Sequence, residues 1–219
     1  MQLHFTKPLN AFEYALCFDL AKYETGISLL HIATGQLMMV YQLSIKPKSD
    51  TPMFDFYNEL KAFLLRHIAP LGCDNVLIVR EKQPSGHGAT TTIATLQSLA
   101  GVHAIVDVLA GEFGLYEYED GIHASSVKAW GRKVTGIDKP QKTDIANYVW
   151  KKHNLSDTSY DITDSIALFE CLVSEKWDKD LSELIKEERK HLKSLKAPSA
   201  IKKQEEHIAL LNTLFLASK

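Results

Sequence analysis

The spacing of apolar and polar positions divides the first part of the chain into predicted strands and one helix. Three apolar runs joined by tight turns predict an antiparallel meander: "EYALCFDLA", a buried strand ending at Asp19, then "TGISLLHIA" and "GQLMMVYQLSI". "TPMFDFYNELKAFLLRHIAP" places its apolar residues on one helical face, between an opening Thr51-Pro52 and a closing Pro70. "NVLIVR" is dominated by apolar residues, which predicts a central strand covered on both faces, and it leads directly to Glu81.

The pattern after Glu81 adds further helices and one more strand. Beyond the polar loop "PSGHGATTT", the segment "TTTIATLQSLAGVHAIVDVLAG" predicts a second long helix and "GLYEY" a fifth strand. A helix near 140–153 follows, and another opens at Asp161 and Asp164. From about residue 178, a highly charged pattern predicts a pair of helices hinged at Pro198.

This order of elements, β-β-β-α-β-α-β-α, predicts an α/β fold with a mixed five-stranded sheet flanked by helices. Residues 1–177 would form this layered domain, and residues 178–219 would form a charged helical extension. Right-handed crossovers place the strand that ends at Glu81 parallel to, and beside, the strand that ends at Asp19. The two acids are therefore expected at the same edge of the sheet.

Composition narrows the class of protein. With 219 residues, of which 45% are hydrophobic, the chain is long enough for one well-filled core. Its apolar runs are shorter than the roughly 20 residues of a membrane span, and "MQLHFTKPLNAFEYA" lacks the apolar core of a signal peptide. We therefore expect a cytoplasmic protein with no membrane partner. Cys17, Cys73 and Cys171 are far apart among apolar neighbours, which predicts reduced core residues.

The distribution of charge indicates a nucleic-acid partner that the net charge of −2 conceals. Residues 122–153 hold seven Lys and Arg against two Asp, and residues 176–219 hold ten Lys and Arg against seven acids. The rest of the chain is therefore strongly acidic. A basic flank beside an acidic body can bind phosphates, although a solvated helix face would explain the same pattern.

Asp161 and Asp164 in "YDITDSIALFE" have two interpretations. They could stabilise the start of a helix, where backbone N–H groups lack partners. They could also join Asp19 and Glu81, because ligands bind beyond the carboxyl ends of parallel strands. Carboxylates so close together repel unless a cation neutralises them, and their oxygens suit Mg²⁺ or Mn²⁺. Two such ions could activate a water and stabilise the leaving oxygen of a phosphodiester.

The same residues lie in four segments that resemble the motifs of RuvC-like Holliday-junction resolvases. "DLAKYETG", from Asp19 to Gly26, resembles the first-strand motif of that family, and "VREKQ" resembles its second acidic strand end. "ASSVKAWGRKVTGIDKPQKTDIANYV" is similar to the lysine-bearing segment, and "DITDSIALF" to the closing Asp-x-x-Asp helix. The four segments follow in unbroken order across residues 13–175.

This resemblance implies a ribonuclease-H-like fold, a homodimer and Mg²⁺-dependent symmetric nicking of four-way DNA junctions, with Mn²⁺ able to substitute. The residues implied as catalytic metal ligands are Asp19, Glu81, Asp161 and Asp164. Lys128 and Lys142 fall where the family places lysines near the scissile phosphate, and they suit stabilisation of developing negative charge. The residues expected to contact DNA are Lys128, Arg132, Lys133, Lys139, Lys142, Ser85 and His87.

The chain departs from the family in two places. Some resolvases carry an aromatic residue after the second acid that enters the junction centre, whereas "EKQPSGHGATT" offers only Pro84 and His87. We therefore expect broader activity on branched DNA. The charged extension has no counterpart in the compact bacterial enzymes. It is interpreted as a dimerisation element, a DNA clamp or both, and it is typical of a phage or viral-type member acting in the host cytoplasm.

Three other functions remain open at the level of sequence. A general branched-DNA or flap endonuclease could be built on the same fold. A non-catalytic DNA-binding module would share the basic segments, although an unneeded cluster of buried acids costs stability. An actin-like nucleotide-binding protein also begins with an Asp-ended strand and a meander, but the second Gly-rich phosphate loop expected there is missing from the sequence.

Overall fold

The computed structural model describes residues 9–46, 50–83, 92–118, 121–156 and 158–192, together with 202, 204–206 and 208–209. The chain divides into two compact units, Met1–Phe169 and Glu170–Lys219. The residues singled out as catalytic all belong to the first unit. The predicted domain boundary between residues 177 and 178 stays a prediction.

A mixed five-stranded sheet forms the centre of the first unit, as the sequence predicts. Its strands are β1 (Tyr14–Asp19), β2 (Glu24–His31), β3 (Leu37–Ser44), β4 (Val76–Arg80) and β5 (Tyr116–Glu117). The order across the sheet is β3-β2-β1-β4-β5. The first three strands form the predicted antiparallel meander, and β4 lies parallel to β1 on one side and to β5 on the other.

The helices are α1 (Pro52–Phe63), α2 (Ile93–Phe113), α3 (Ala124–Thr135), α4 (Lys142–His153) and α5 (Tyr160–Leu192). A wider helical turn, Leu64–Ile68, continues α1. The sequence predicts α1, α2, α4 and the start of α5. The change of composition near residue 178 does not end α5, which is continuous to Leu192. The predicted hinge at Pro198 lies outside the described residues.

The α3 helix is the element that the sequence pattern did not predict. Gly131 lies in its interior, where glycine lowers helix propensity by about 1 kcal/mol relative to alanine. Tertiary packing explains why the helix forms: a Cβ at Gly131 would lie 2.8 Å from Cδ1 of Ile145, so the glycine allows α4 to pack closely. Trp130 beside it is buried and meets Tyr148 edge to face.

The main core lies between the sheet and the first two helices. Phe18 and Ile78 from the sheet, Phe56 and Leu60 from α1, and Val106 from α2 belong to one buried cluster. By length and composition alone, α2 could cross a membrane. Its buried face is part of this core, which accounts for the apolar residues on that side of the helix. All three cysteines lie within the described residues: Cys17 and Cys171 are buried, Cys73 is half-buried, and no disulfide joins them.

Candidate active site

The first acid, Asp19, is the last residue of β1 and lies opposite Gly26 of β2. The turn that follows it is closed by Thr25. Its hydroxyl accepts a hydrogen bond from the Ala21 backbone N–H at 3.2 Å and donates one to the Ala21 carbonyl at 3.1 Å. Because Thr25 is fully buried, these bonds hold the chain tightly against the end of the strand. The position of Asp19 is thus fixed by backbone pairing on one side and a closed turn on the other.

The second acid, Glu81, directly follows β4 and lies at the same edge of the sheet. The backbone of Glu81 forms an isolated parallel bridge with Ile122. The Ile122 N–H donates to the Arg80 carbonyl at 2.8 Å, and the Lys82 N–H donates to the Ile122 carbonyl at 2.7 Å. The chain leaves this bridge directly into α3, which carries Lys128. The predicted neighbours β1 and β4 therefore bring the two acids together.

Asp161 lies in the first turn of α5, and Ser159 rather than Asp161 caps the helix. The Ser159 hydroxyl accepts a hydrogen bond from the Ile162 N–H at 3.3 Å and donates to Oε1 of Gln42 at 2.5 Å. Gln42, on β3, donates through Nε2 to Oδ2 of Asp161 at 3.2 Å. Asp161 therefore provides no side-chain cap, although its charge in the first turn still favours the start of the helix. Its carboxylate is oriented by a side chain from across the sheet.

Gly26 allows the start of α5 to contact β2. A Cβ at this position would lie 2.0 Å from the carbonyl oxygen of Asp161 and 2.6 Å from the nitrogen of Ile162, so any side chain would displace the helix. One turn further along, the buried hydroxyl of Ser165 bonds to that of Ser28 at 3.0 Å. Small residues on both elements thus hold α5 beside the end of β1.

The acids act on one another electrostatically. Burial, together with the charge of Asp164 and smaller effects of Asp161 and Glu81, raises the pKa of Asp19 to about 7, against the opposing charge of Lys142. Burial and the charge of Asp164 also raise the pKa of Glu81. Burial raises the pKa of Asp164 despite its ion pair with Lys142. A surplus of negative charge is therefore concentrated at the carboxyl end of β1 and β4.

Asp19, Glu81, Asp161 and Asp164 together form what we call the acid cluster. Two of the predicted lysines lie beside it. Lys142, the first residue of α4, places Nζ 2.5 Å from Oδ2 of Asp164. Burial would lower the pKa of Lys142, but the hydrogen bond and charge of Asp164 outweigh it and raise the pKa. The charge of Lys128 opposes the rise in the pKa of Glu81. Both lysines are thus close enough to the acids to offset part of their negative charge.

The other predicted DNA-binding residues occupy different positions. Arg132 and Lys133 lie in the last turn of α3. Lys139 is exposed in the connection between α3 and α4. Ser85 and His87 lie outside the described residues.

The donor chemistry of this cluster fits a divalent cation. Four carboxylates supply only oxygen ligands, which suit Mg²⁺ or Mn²⁺, and a cation would relieve the repulsion that raises the pKa of Asp19. Among the residues that the structure describes, no three His, Cys, Asp or Glu side chains form a preformed metal group. In this structure the Lys142 ammonium pairs with Asp164 and offsets part of the negative charge that a cation would neutralise.

Comparison with solved structures shows a known fold. RuvC of Thermus thermophilus in complex with a Holliday-junction substrate is 12% identical, with a TM-score of 0.55 over 76% of this chain and 94% of that one. A second Thermus thermophilus RuvC structure is 14% identical, with a TM-score of 0.54 over 76% and 95%. The yeast mitochondrial Holliday junction resolvase Ydc2 is 13% identical, with a TM-score of 0.51 over 76% and 79%.

No protein-family model and no curated protein sequence matches the chain. The similarity therefore lies in three-dimensional structure. It confirms the predicted ribonuclease-H-like fold and, at the level of the fold, the resemblance to RuvC-like resolvases.

Sequence reasoning missed the residues that position the acids. Gln42 is a polar residue within the apolar run of β3, and this break in the pattern is the signal that could have identified it. Gly26 belongs to the "DLAKYETG" motif, but the need for a residue without a side chain appears only once α5 is in place. Ser159 precedes the Asp pair and has the residue type typical of a helix cap.

Proposed function

We propose that this protein is a Mg²⁺-dependent, structure-selective DNA endonuclease that resolves four-way junctions by paired symmetric nicks. The observation that carries the proposal is the convergence of acids from three separate segments of the chain. Asp19, Glu81 and the start of α5 meet at one edge of the sheet, where burial and the neighbouring carboxylates raise the pKa of Asp19 to about 7. The likeness of the fold to RuvC and Ydc2 supports DNA junctions as the substrate.

The acids that would hold Mg²⁺ or Mn²⁺ are Asp19, Glu81, Asp161 and Asp164. When bound, the metal supplies activation of the attacking water and stabilisation of the leaving oxygen. Lys142 and Lys128 stand beside these acids, where their ammonium groups favour the approach of a phosphate and offset negative charge that develops on it. Gln42 keeps the Asp161 carboxylate directed towards the site.

The basic residues next to the acids would bind the DNA backbone. Arg132 and Lys133 on α3 and Lys139 after it extend the positive charge of Lys128 and Lys142 away from the site. Ser85 and His87 would add contacts from the loop after Glu81. These contacts would bind phosphates rather than bases, so they would position the DNA without reading its sequence.

Paired nicks at symmetric positions require two active sites, and we propose a homodimer to supply them. The α2 helix offers a surface for this contact. Only 28% of the most apolar 18-residue stretch of α2 is buried. Ile93 and Val108 are exposed on this helix. A second copy of the chain would cover these side chains and place two sets of acids on one junction.

The proposal is tested by Asp161→Asn, which keeps the shape of the side chain and an oxygen that can accept from Gln42. We expect the wild-type protein to nick a synthetic four-way junction only when Mg²⁺ or Mn²⁺ is present. The variant should bind the junction normally but cleave it more slowly, by a factor of at least roughly 100. The matched control is Asp138→Asn, in the exposed connection after α3, which should cleave normally.

Undiminished cleavage by Asp161→Asn would contradict the assignment of the acids. The same assay on three-way, flap and linear duplex DNA separates junction resolution from general branched-DNA cleavage. Symmetric paired nicks restricted to four-way junctions support resolution, whereas single nicks on every branched substrate support the broader activity. Junction binding without cleavage by the wild-type protein would identify a binding module.

A further inference from the structure

An exposed aromatic ring directly precedes the acid pair. Tyr160 is the first residue of α5, the neighbour of Asp161, and 42% of its surface is exposed. Its ring stacks on that of Trp150 from α4, with centroids 6.2 Å apart and an angle of 30° between the planes. Trp150 is itself fixed, because its Nε1 donates to Oγ1 of Thr158 at 2.7 Å. The pair is thus a rigid aromatic surface rather than a single mobile side chain.

This aromatic surface is continuous with the charged site. The Lys142 ammonium lies 5.9 Å from the centroid of the Tyr160 ring and 2.5 Å from Oδ2 of Asp164. One cation therefore pairs directly with an acid proposed to act on a phosphodiester and lies within cation–π range of the ring. A nucleotide whose phosphate approached Lys142 would have its base within reach of Tyr160.

We propose that Tyr160, backed by Trp150, stacks on an unpaired nucleobase of branched DNA next to the cleaved phosphodiester. The bases of a linear duplex are covered by their own neighbours, so this surface would recognise the exchange point of a branch, where bases can unstack. It would also supply the aromatic contact that the segment "EKQPSGHGATT" after Glu81 lacks. The inference rests on the proposed function and assigns a nucleobase subsite to that same active site.

The experiment compares two substitutions at one position. Tyr160→Leu keeps an apolar side chain against Trp150 but removes the aromatic face, and Tyr160→Phe keeps the face and removes only the hydroxyl. Binding is measured without divalent cations, at one fixed salt concentration, to a synthetic four-way junction and to a linear duplex of equal length. A single 5-iodouracil at the exchange point of the junction allows photochemical crosslinking to a stacked side chain.

We expect Tyr160→Leu to bind the junction roughly 5- to 150-fold more weakly, as the loss of one base stack implies, and to bind the duplex within about twofold of wild type. Tyr160→Phe should match the wild type on both substrates. The crosslink should map to residue 160 or 150 in the wild type and be lost in Tyr160→Leu. Thermal unfolding within a few degrees of the wild type shows that Tyr160→Leu is folded.

Equal junction affinity of Tyr160→Leu and the wild type would overturn the proposal, as would an equal loss on junction and duplex. These results leave the proposed function standing when the wild type still prefers and cleaves the junction. A wild type with no preference for the junction over the duplex would instead remove the proposed function, and the nucleobase subsite with it.

Discussion

Two adjacent residues at the end of β4 belong to charged clusters of opposite character. The Arg80 side chain is only 15% exposed, and it forms ion pairs with Asp107 and, at 2.9 Å, with Glu117. It also donates to Nδ1 and to the carbonyl oxygen of His103 at 3.2 and 3.1 Å. One residue later, Glu81 joins the acid cluster, where burial and neighbouring carboxylates raise the pKa of three members.

The difference distinguishes a cluster that joins elements of the fold from the cluster that we propose binds a cation. The Arg80 cluster surrounds one buried cation with acceptors and ties β4 to β5 and α2. The acid cluster has more negative charge than Lys128 and Lys142 neutralise, and this surplus costs stability in the protein alone. Bound Mg²⁺ would offset this cost, as the proposed metal site requires.

The largest difference between the two clusters is expected when Arg80 or Lys142 is replaced by an uncharged residue. Arg80→Met leaves Glu117 and Asp107 without their buried partner and should lower the free energy of unfolding by about 3–5 kcal/mol. Lys142→Met removes an ion pair whose lysine side chain is 60% exposed, so it should change the free energy by about 1 kcal/mol or less. Urea denaturation of both variants at pH 7 without divalent cations measures the two effects. Equal losses would remove the distinction between the clusters.

Asp19→Asn should raise the free energy of unfolding, whereas Arg80→Met should lower it. Because the pKa of Asp19 is raised from 3.8 to about 7, the folded protein holds a proton that the unfolded chain releases, and stability falls as the pH rises through this range. Without divalent cations, the variant should be more stable than the wild type by about 3–4 kcal/mol at pH 8 and by almost nothing near pH 4. Mg²⁺ should stabilise the wild type and reduce the difference.

Urea denaturation at pH 4, 6 and 8 in EDTA follows this pH dependence. Asp138→Asn, at an exposed loop position, is the control and should stay within about 0.5 kcal/mol of the wild type at each pH. If Asp19→Asn is instead less stable than the wild type at pH 8 in EDTA, the charged Asp19 carboxylate does not destabilise the folded protein.

The sequence predicted the parts of this molecule that depend on local pattern and chain order. Apolar runs joined by tight turns located the strands, and the rule of right-handed crossovers placed Asp19 beside Glu81, as the parallel pairing of β1 with β4 confirms. The α/β fold with a mixed sheet follows from this order, and the resemblance of the four segments to RuvC-like resolvases implied its ribonuclease-H-like form. These features need no knowledge of distant contacts, which is why one sequence was sufficient.

The parts that sequence reasoning missed depend on long-range packing. Gln42 bonds to Asp161 across 119 positions of the chain, and the steric need for Gly26 appears only once α5 lies against it. The α3 helix was missed because Gly131 weakens it locally, whereas the close approach of Ile145 explains that glycine. Local propensity could not reveal a residue whose role is to make room for another element.

The smallest effect concerns His103, where the Arg80 cluster should respond to pH in the sense opposite to Asp19. Burial and the neighbouring charge of Arg80 lower the pKa of His103 from 6.5 to about 4, against the opposing charge of Asp107. The unfolded chain therefore takes up the proton first, and this stability is lost as the pH falls from about 6.5 to about 4. His103→Gln keeps an acceptor for Arg80 without titrating in this range. Urea denaturation measures the difference in free energy of unfolding between His103→Gln and the wild type. We expect this difference to shift in favour of the variant by about 2 kcal/mol when the pH is lowered from 7 to 5. A difference that is the same at both pH values would contradict a buried neutral histidine.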